Sequence, residues 1–136
     1  MYAAPMMVKV PITLRNQLKD FSSKYGSIRS LFDAFLTDFL DKKPWANDPY
    51  FCWIVAPKVI RENPKWILLN VVSLVPLTVE AKTISAEMDI SLQTFLLSGL
   101  TWWYHLKVLK AEKEKNLGSD KSKSKKNVSG KIGEVQ

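Results

Sequence analysis

The chain has 136 residues, 46% of them hydrophobic, with a formal net charge of +7. That is enough for one small domain with a real core and too apolar for a disordered chain. One cysteine, Cys52, and one histidine, His105, exclude an internal disulfide framework and a His- or Cys-rich metal site. The charge is unevenly placed: from Lys107 onward nine Lys face four carboxylates, so five of the seven net charges sit there.

The first residues, Met1 to Met6, read as a short arm without the basic-then-apolar order of a secretory signal. Val8 and Val10 alternate with Met7 and Lys9, which predicts a strand with the valines inward. Pro11 donates no ladder hydrogen bond and is expected to end it. Thr13 is the expected N-cap of a helix running to about Lys24, with Leu14, Leu18 and Phe21 inward. Gly26 ends that helix and Ser27 caps the next. Ile28, Leu31, Phe32, Phe35, Leu36, Phe39 and Leu40 then follow a helical period over the whole second helix.

Residues 43–66 form a connector. Pro44, Pro49, Pro57 and Pro64 rule out one long helix, although a short one from Pro57 to Glu62 fits. Trp45, Tyr50, Phe51, Trp53 and Trp66 make it too aromatic for a free linker. Ile67 to Val75 is a second strand, rich in β-branched residues and Leu, which Pro76 ends. Thr78 is expected to cap a helix through about Met88, with Val79, Ile84 and Met88 inward. Asp89 or Ser91 begins a last helix with the stripe Leu92, Phe95, Leu96, Gly99, Leu100 and Trp103, continuing through Leu106 and Leu109. From Gly118 the sequence is Ser/Lys/Gly/Asn-rich and is expected to be disordered. The longest apolar run, Trp66 to Val79, is too short and too interrupted for a membrane span, so a cytoplasmic protein is expected.

The chain thus repeats itself. Placing Pro11 on Pro76 matches Thr13 with Thr78 and Leu14 with Val79; after one deletion, Ile28 falls on Leu92, Leu31 on Phe95, Phe32 on Leu96 and Leu36 on Leu100. A strand, a Pro, a short helix, a turn and a longer helix resemble the ribbon-helix-helix family of DNA-binding proteins. Two such units in one chain resemble the tandem accessory proteins of conjugation and T-DNA transfer. The resemblance covers about Met7 to His105 without the connector. It implies a mostly α fold with a short two-stranded antiparallel ribbon, the two units forming an internal pseudo-dimer. The expected division is an arm (1–6), unit 1 (7–42), connector (43–66), unit 2 (67–115) and a basic tail (116–136).

By the same resemblance the partner is double-stranded DNA, with the ribbon in the major groove. The outward residues expected to read bases are Met7 and Lys9 in the first strand, and Asn70, Val72 and Leu74 in the second. Lys9 has the chemistry for guanine and Asn70 for adenine. Val72 and Leu74 have none, so the register of the second strand is off by one, or readout is one-sided, or the second strand is structural. Phosphate anchoring is expected at Ser27, Ile28 and Arg29, and at Ser91, Leu92 and Gln93; for Ser27 and Ser91, plain helix capping is the competing role. Lys121, Lys123, Lys125 and Lys126 are expected to add nonspecific DNA contact, or only solubility. No phosphate loop, nucleophile elbow or metal pair is present, so neither catalysis, a metal nor a cofactor is expected. Three roles stay open: an accessory factor for DNA transfer, with a relaxase or a ParA-like protein as partner; a transcriptional regulator; and a protein-interaction module whose ribbon has stopped reading DNA.

Overall fold

A computed structural model describes residues 1–123, with side chains through Ala111. The order is β1 (Met6–Pro11), α1 (Ile12–Phe21), a 3₁₀ turn (Ser22–Tyr25), α2 (Ile28–Lys42), α3 (Pro44–Asn47), β2 (Trp66–Val71), α4 (Val75–Glu87) and α5 (Leu92–Lys123). The fold is mostly helical, with one two-stranded antiparallel sheet made by β1 and β2. Two compact units are distinguished, Met1–Trp103 and a second that begins at Tyr104. In the second, helix α5 continues past Gly118, where composition predicts disorder; the Lys/Glu-rich segment after Leu106 has the helix-forming residues to propagate it. No helix among the described residues is long and apolar enough to cross a membrane.

The ribbon pairs Met6 with Val71, Met7 with Asn70, Val8 with Leu69, Lys9 with Leu68, Val10 with Ile67 and Pro11 with Trp66. Met6, Val8, Val10 and Val71 are buried beneath it. Pairing extends beyond both strand ends. At one end the Ile12 amide donates to the Lys65 carbonyl (2.8 Å). At the other, Ala3 donates to Ser73 (2.9 Å), Val75 donates to Met1 (3.1 Å), and Tyr2 bridges Leu74. The arm carries one extra residue there, a bulge containing Ala4 and Pro5. The arm is therefore the ribbon's continuation.

This pairing explains where the sequence reading of both helix starts fails. Strand β2 ends at Val71 instead of Val75, and Pro76 sits within the first turn of α4, where a missing N–H costs nothing. Thr13 and Thr78 are inside their helices, and the N-caps are Pro11 and Leu74, with nearly equal backbone angles (φ −60, ψ 141 and φ −61, ψ 146). Neither has a capping side chain. The first helical amide, Ile12 or Val75, is instead satisfied by the antiparallel segment beside it.

The burial pattern repeats once these starts are aligned. Met7 falls on Asn70, Val8 on Val71, Val10 on Ser73, Pro11 on Leu74 and Leu18 on Ala81. Gly26 falls on Asp89, both with positive φ (88 and 56), where the turn reverses. Ile90 is an extra residue, and from Ser27 on Ser91 the match resumes through Phe39 on Trp103. The superposition of Pro11 on Pro76 is thus displaced by two residues. Two is the period of a strand, so the assignment of faces is unaffected.

Beneath the ribbon, α2 contributes Leu31, Phe32, Phe35, Leu36, Phe39 and Leu40, and α5 contributes Phe95, Leu96, Leu97, Leu100 and Trp103, all buried. The connector packs onto this core. Phe39 meets Trp45 (5.0 Å between centroids), Phe95 (4.9 Å), Phe51 (6.1 Å) and Trp102 (5.9 Å). Trp102 donates to Asp48 (3.1 Å), and the Ile54 amide donates to the Ser98 hydroxyl (2.6 Å). The helix expected at Pro57 to Glu62 is absent; α3 forms earlier, with Pro44 opening it.

Helix α5 meets the Phe39 ring of α2 at Gly99. A Cβ there would lie 2.6 Å from the Phe39 ring, which is itself held by aromatic neighbours. In an ordinary helix Gly→Ala stabilises by about 1 kcal/mol. Here overpacking, worth roughly 1–3 kcal/mol, should win. Gly99→Ala is expected to lower stability by about 1–2 kcal/mol in urea unfolding; a gain would place the two helices further apart. Thr78 is buried with no hydrogen-bond partner for its hydroxyl. Thr78→Val removes that cost and keeps the shape, so the unfolding midpoint should rise, by about 1 kcal/mol in stability.

Candidate nucleic-acid interface

The outward face of the ribbon is short. Met7 (62% exposed) stands opposite Asn70, and Lys9 opposite Leu68 (49% exposed). Val72 and Leu74 lie beyond the end of β2, so two of the three residues expected to read bases in the second strand are outside it. Leu74 caps α4 instead. Leu68 belongs to this face and shares the parity of Asn70; anchoring the strand close to Pro76 hides it from a sequence reading.

Lys9 does not present a free ammonium. Its Nζ donates to the Pro57 carbonyl (3.2 Å) and to that of Lys58, both in the connector. Two main-chain carbonyls of the connector take the charge that alternation offers to base reading. Lys9 ties the connector to β1.

The two anchoring positions are built alike at their first residues. The Ser30 amide donates to the Ser27 hydroxyl (3.1 Å), and the Thr94 amide donates to the Ser91 hydroxyl (3.1 Å). Both serines are caps, and Ile28 and Leu92 are the half-buried first residues of α2 and α5. They diverge one residue on. Arg29 is exposed, with its guanidinium over the Tyr2 ring (4.6 Å to the centroid). Gln93 is consumed: its Oε1 accepts from the Lys9 amide (2.7 Å) and its Nε2 donates to the Lys9 carbonyl (2.8 Å). These are the backbone groups that β1 turns away from β2. Gln93 thus closes the free edge of the sheet with its side chain as a third strand would.

Asp33 does comparable work on the other strand. It accepts from the Ser73 hydroxyl (2.6 Å), the Leu74 amide (3.2 Å) and the Tyr2 hydroxyl (3.3 Å), joining α2 to the start of α4 and to the arm. Neither clamp has a local sequence signal, since each partner is at least 31 residues away.

Beside β2 lies a groove of about 470 Å³ lined by Arg15, Lys19, Ser22, Ile28, Phe32, Leu69 and Asn70. It brings two cations of α1 next to the exposed Asn70, a grouping that sequence periodicity does not indicate. Of the tail lysines, Lys121 and Lys123 belong to α5 by backbone only, and Lys125 and Lys126 lie outside the described residues. Cys52 is exposed. No group of His, Cys, Asp and Glu able to hold a metal occurs among the described residues.

Gln93→Ala would leave the amide and carbonyl of Lys9 unpaired in a part-buried place. A loss of roughly 1–3 kcal/mol in unfolding free energy is expected. Gln93→Glu should do no better, because a carboxylate cannot donate to the carbonyl; a Glu variant as stable as the parent would show that this hydrogen bond contributes nothing. Compared with known proteins, the chain matches no protein-family model, no curated protein and no solved structure.

Proposed function

We propose that the chain is a tandem ribbon-helix-helix pseudo-dimer that binds double-stranded DNA with its ribbon in the major groove. The observation that carries this reading is the ribbon's centre. Met7 and Asn70 are cross-strand partners and also each other's counterparts in the internal repeat. A pseudo-two-fold axis therefore passes between them, on the exposed face. A two-stranded antiparallel ribbon has the width of the B-DNA major groove, and Asn has the donor–acceptor pair for adenine. The capped N-termini of α2 and α5 support it by their equal construction.

The biological role proposed with it is an accessory factor for conjugative or T-DNA-like transfer, helping a relaxase complex assemble; its ground is the fusion of two units in one chain. A second reading, a protein-interaction module, is favoured by one feature: exposed Met7 and Leu68 make much of the outer face apolar, and Lys9 is turned away from it.

Selection of bound duplexes from a random pool tests the two. A DNA reader enriches a site, and Asn70→Ala then costs roughly 1–3 kcal/mol at one base pair with little effect elsewhere. No enrichment, together with an unchanged affinity for Met7→Asp/Asn70→Asp, would exclude the ribbon from DNA binding and leave the interaction module.

A further inference from the structure

The two flanks of the ribbon are opposites in charge. Residues 12–29, which make α1 and the start of α2, hold Arg15, Lys19, Lys24 and Arg29 against Asp20 alone. Residues 75–93, their counterparts in α4 and the start of α5, hold Lys82 against Glu80, Glu87 and Asp89. Position by position, Arg15 corresponds to the buried Thr78, Lys24 to Glu87, and Arg29 to Gln93, whose amide is spent on Lys9. Only Lys19 has a cationic counterpart, Lys82, and both are exposed.

The basic flank also has the better geometry. Arg15 and Lys19 line the same groove as Asn70, so their charges border the ribbon's exposed face. Among the described residues Arg15 donates to Asn16 (2.9 Å) through Nε only. Arg29 is held over Tyr2, which is itself fixed by Asp33 and by pairing with Leu74. The acidic flank offers a like-charge surface to a phosphate backbone.

We propose that the protein engages DNA asymmetrically: the flank made by α1 and the start of α2 grips one phosphate backbone through Arg15, Lys19 and Arg29, and the α4–α5 flank grips none. The ribbon then has a direction on its site, with one anchored side and one free side. This rests on the DNA-binding reading and adds a polarity to it.

The internal pair Lys19 and Lys82 gives the test. Full-length parent, Arg15→Gln, Lys19→Gln and Lys82→Gln are titrated into a fluorescent duplex of about 20 base pairs, two turns of B-DNA, at several salt concentrations. Thermal unfolding confirms that all four fold equally. Removing one phosphate-anchoring cation should reduce the log–log salt slope by about 0.9, and affinity roughly fivefold near 0.15 M salt. Arg15→Gln and Lys19→Gln are expected to show both reductions, and Lys82→Gln to match the parent. Equal reductions for Lys19→Gln and Lys82→Gln would establish two-sided engagement and overturn the asymmetry, with DNA binding intact. Parent-like slopes for Arg15→Gln and Lys19→Gln would overturn it also. A parent that binds no duplex at all removes the DNA-binding reading itself, and the asymmetry with it.

Discussion

The pairing of β1 with β2 is the constraint on which the remaining structure depends. A single six-residue strand has no partner for its ladder, and an isolated hairpin is marginal even when its strands are adjacent. Here the strands are separated by α1, α2 and the connector. Closing a loop of that length costs on the order of 3–4 kcal/mol in chain entropy. Association of two separate chains costs more, about 4–15 kcal/mol at a standard concentration, and depends on concentration. Drawing both strands from one chain thus makes ribbon formation independent of dilution. The same pairing satisfies the first amides of α1 and α4, so the helices start where the ribbon puts them.

The connector is the physical consequence of pairing two strands so far apart in one chain. It must carry the chain from the end of α2 back to Trp66, opposite Pro11, without leaving the helical core exposed. Trp45, Phe51 and Trp53 surround Phe39 and Phe95, so the return path is built into the core. The polar clamps complete it. Ser98 takes the Ile54 amide, Asp48 takes the Trp102 indole, and Lys9 takes two carbonyls. A lysine that alternation places on a reading face is thereby committed to holding the chain together.

What could be read from the sequence follows from how local each determinant is. The apolar period of α2 specified its buried face from Leu31 to Leu40, and the same period specified Phe95, Leu96, Leu100 and Trp103 in α5. Alternation at Val8 and Val10 and the existence of a second strand were likewise legible, and their antiparallel pairing is what the family resemblance implied. Pro76 misleads because proline both ends strands and opens helices, and only the pairing of Val75 with Met1 decides between them. Thr13 and Thr78 mislead because a cap is unnecessary where a neighbouring strand already accepts the amide. Gln93 and Asp33 are illegible in their actual roles, since their partners are distant in sequence and nothing about an amide or a carboxylate on a helix names them.

The proposed tandem arrangement would also change what substitutions can do: in a symmetric dimer every residue is present twice, and a single chain is free of that coupling. Aligned at their helix starts, the two segments agree at Val8 and Val71, Leu31 and Phe95, Phe32 and Leu96, and at the caps Ser27 and Ser91. They separate at Lys24 and Glu87 and at Arg29 and Gln93. Gln93 shows why the separation is structural as well as electrostatic. Closing the edge of β1 needs a donor and an acceptor on one short side chain, which an arginine, with donors only, cannot supply. The edge that Gln93 closes and the charge that Arg29 keeps are alternatives at matched positions of the two segments, and one chain holds both.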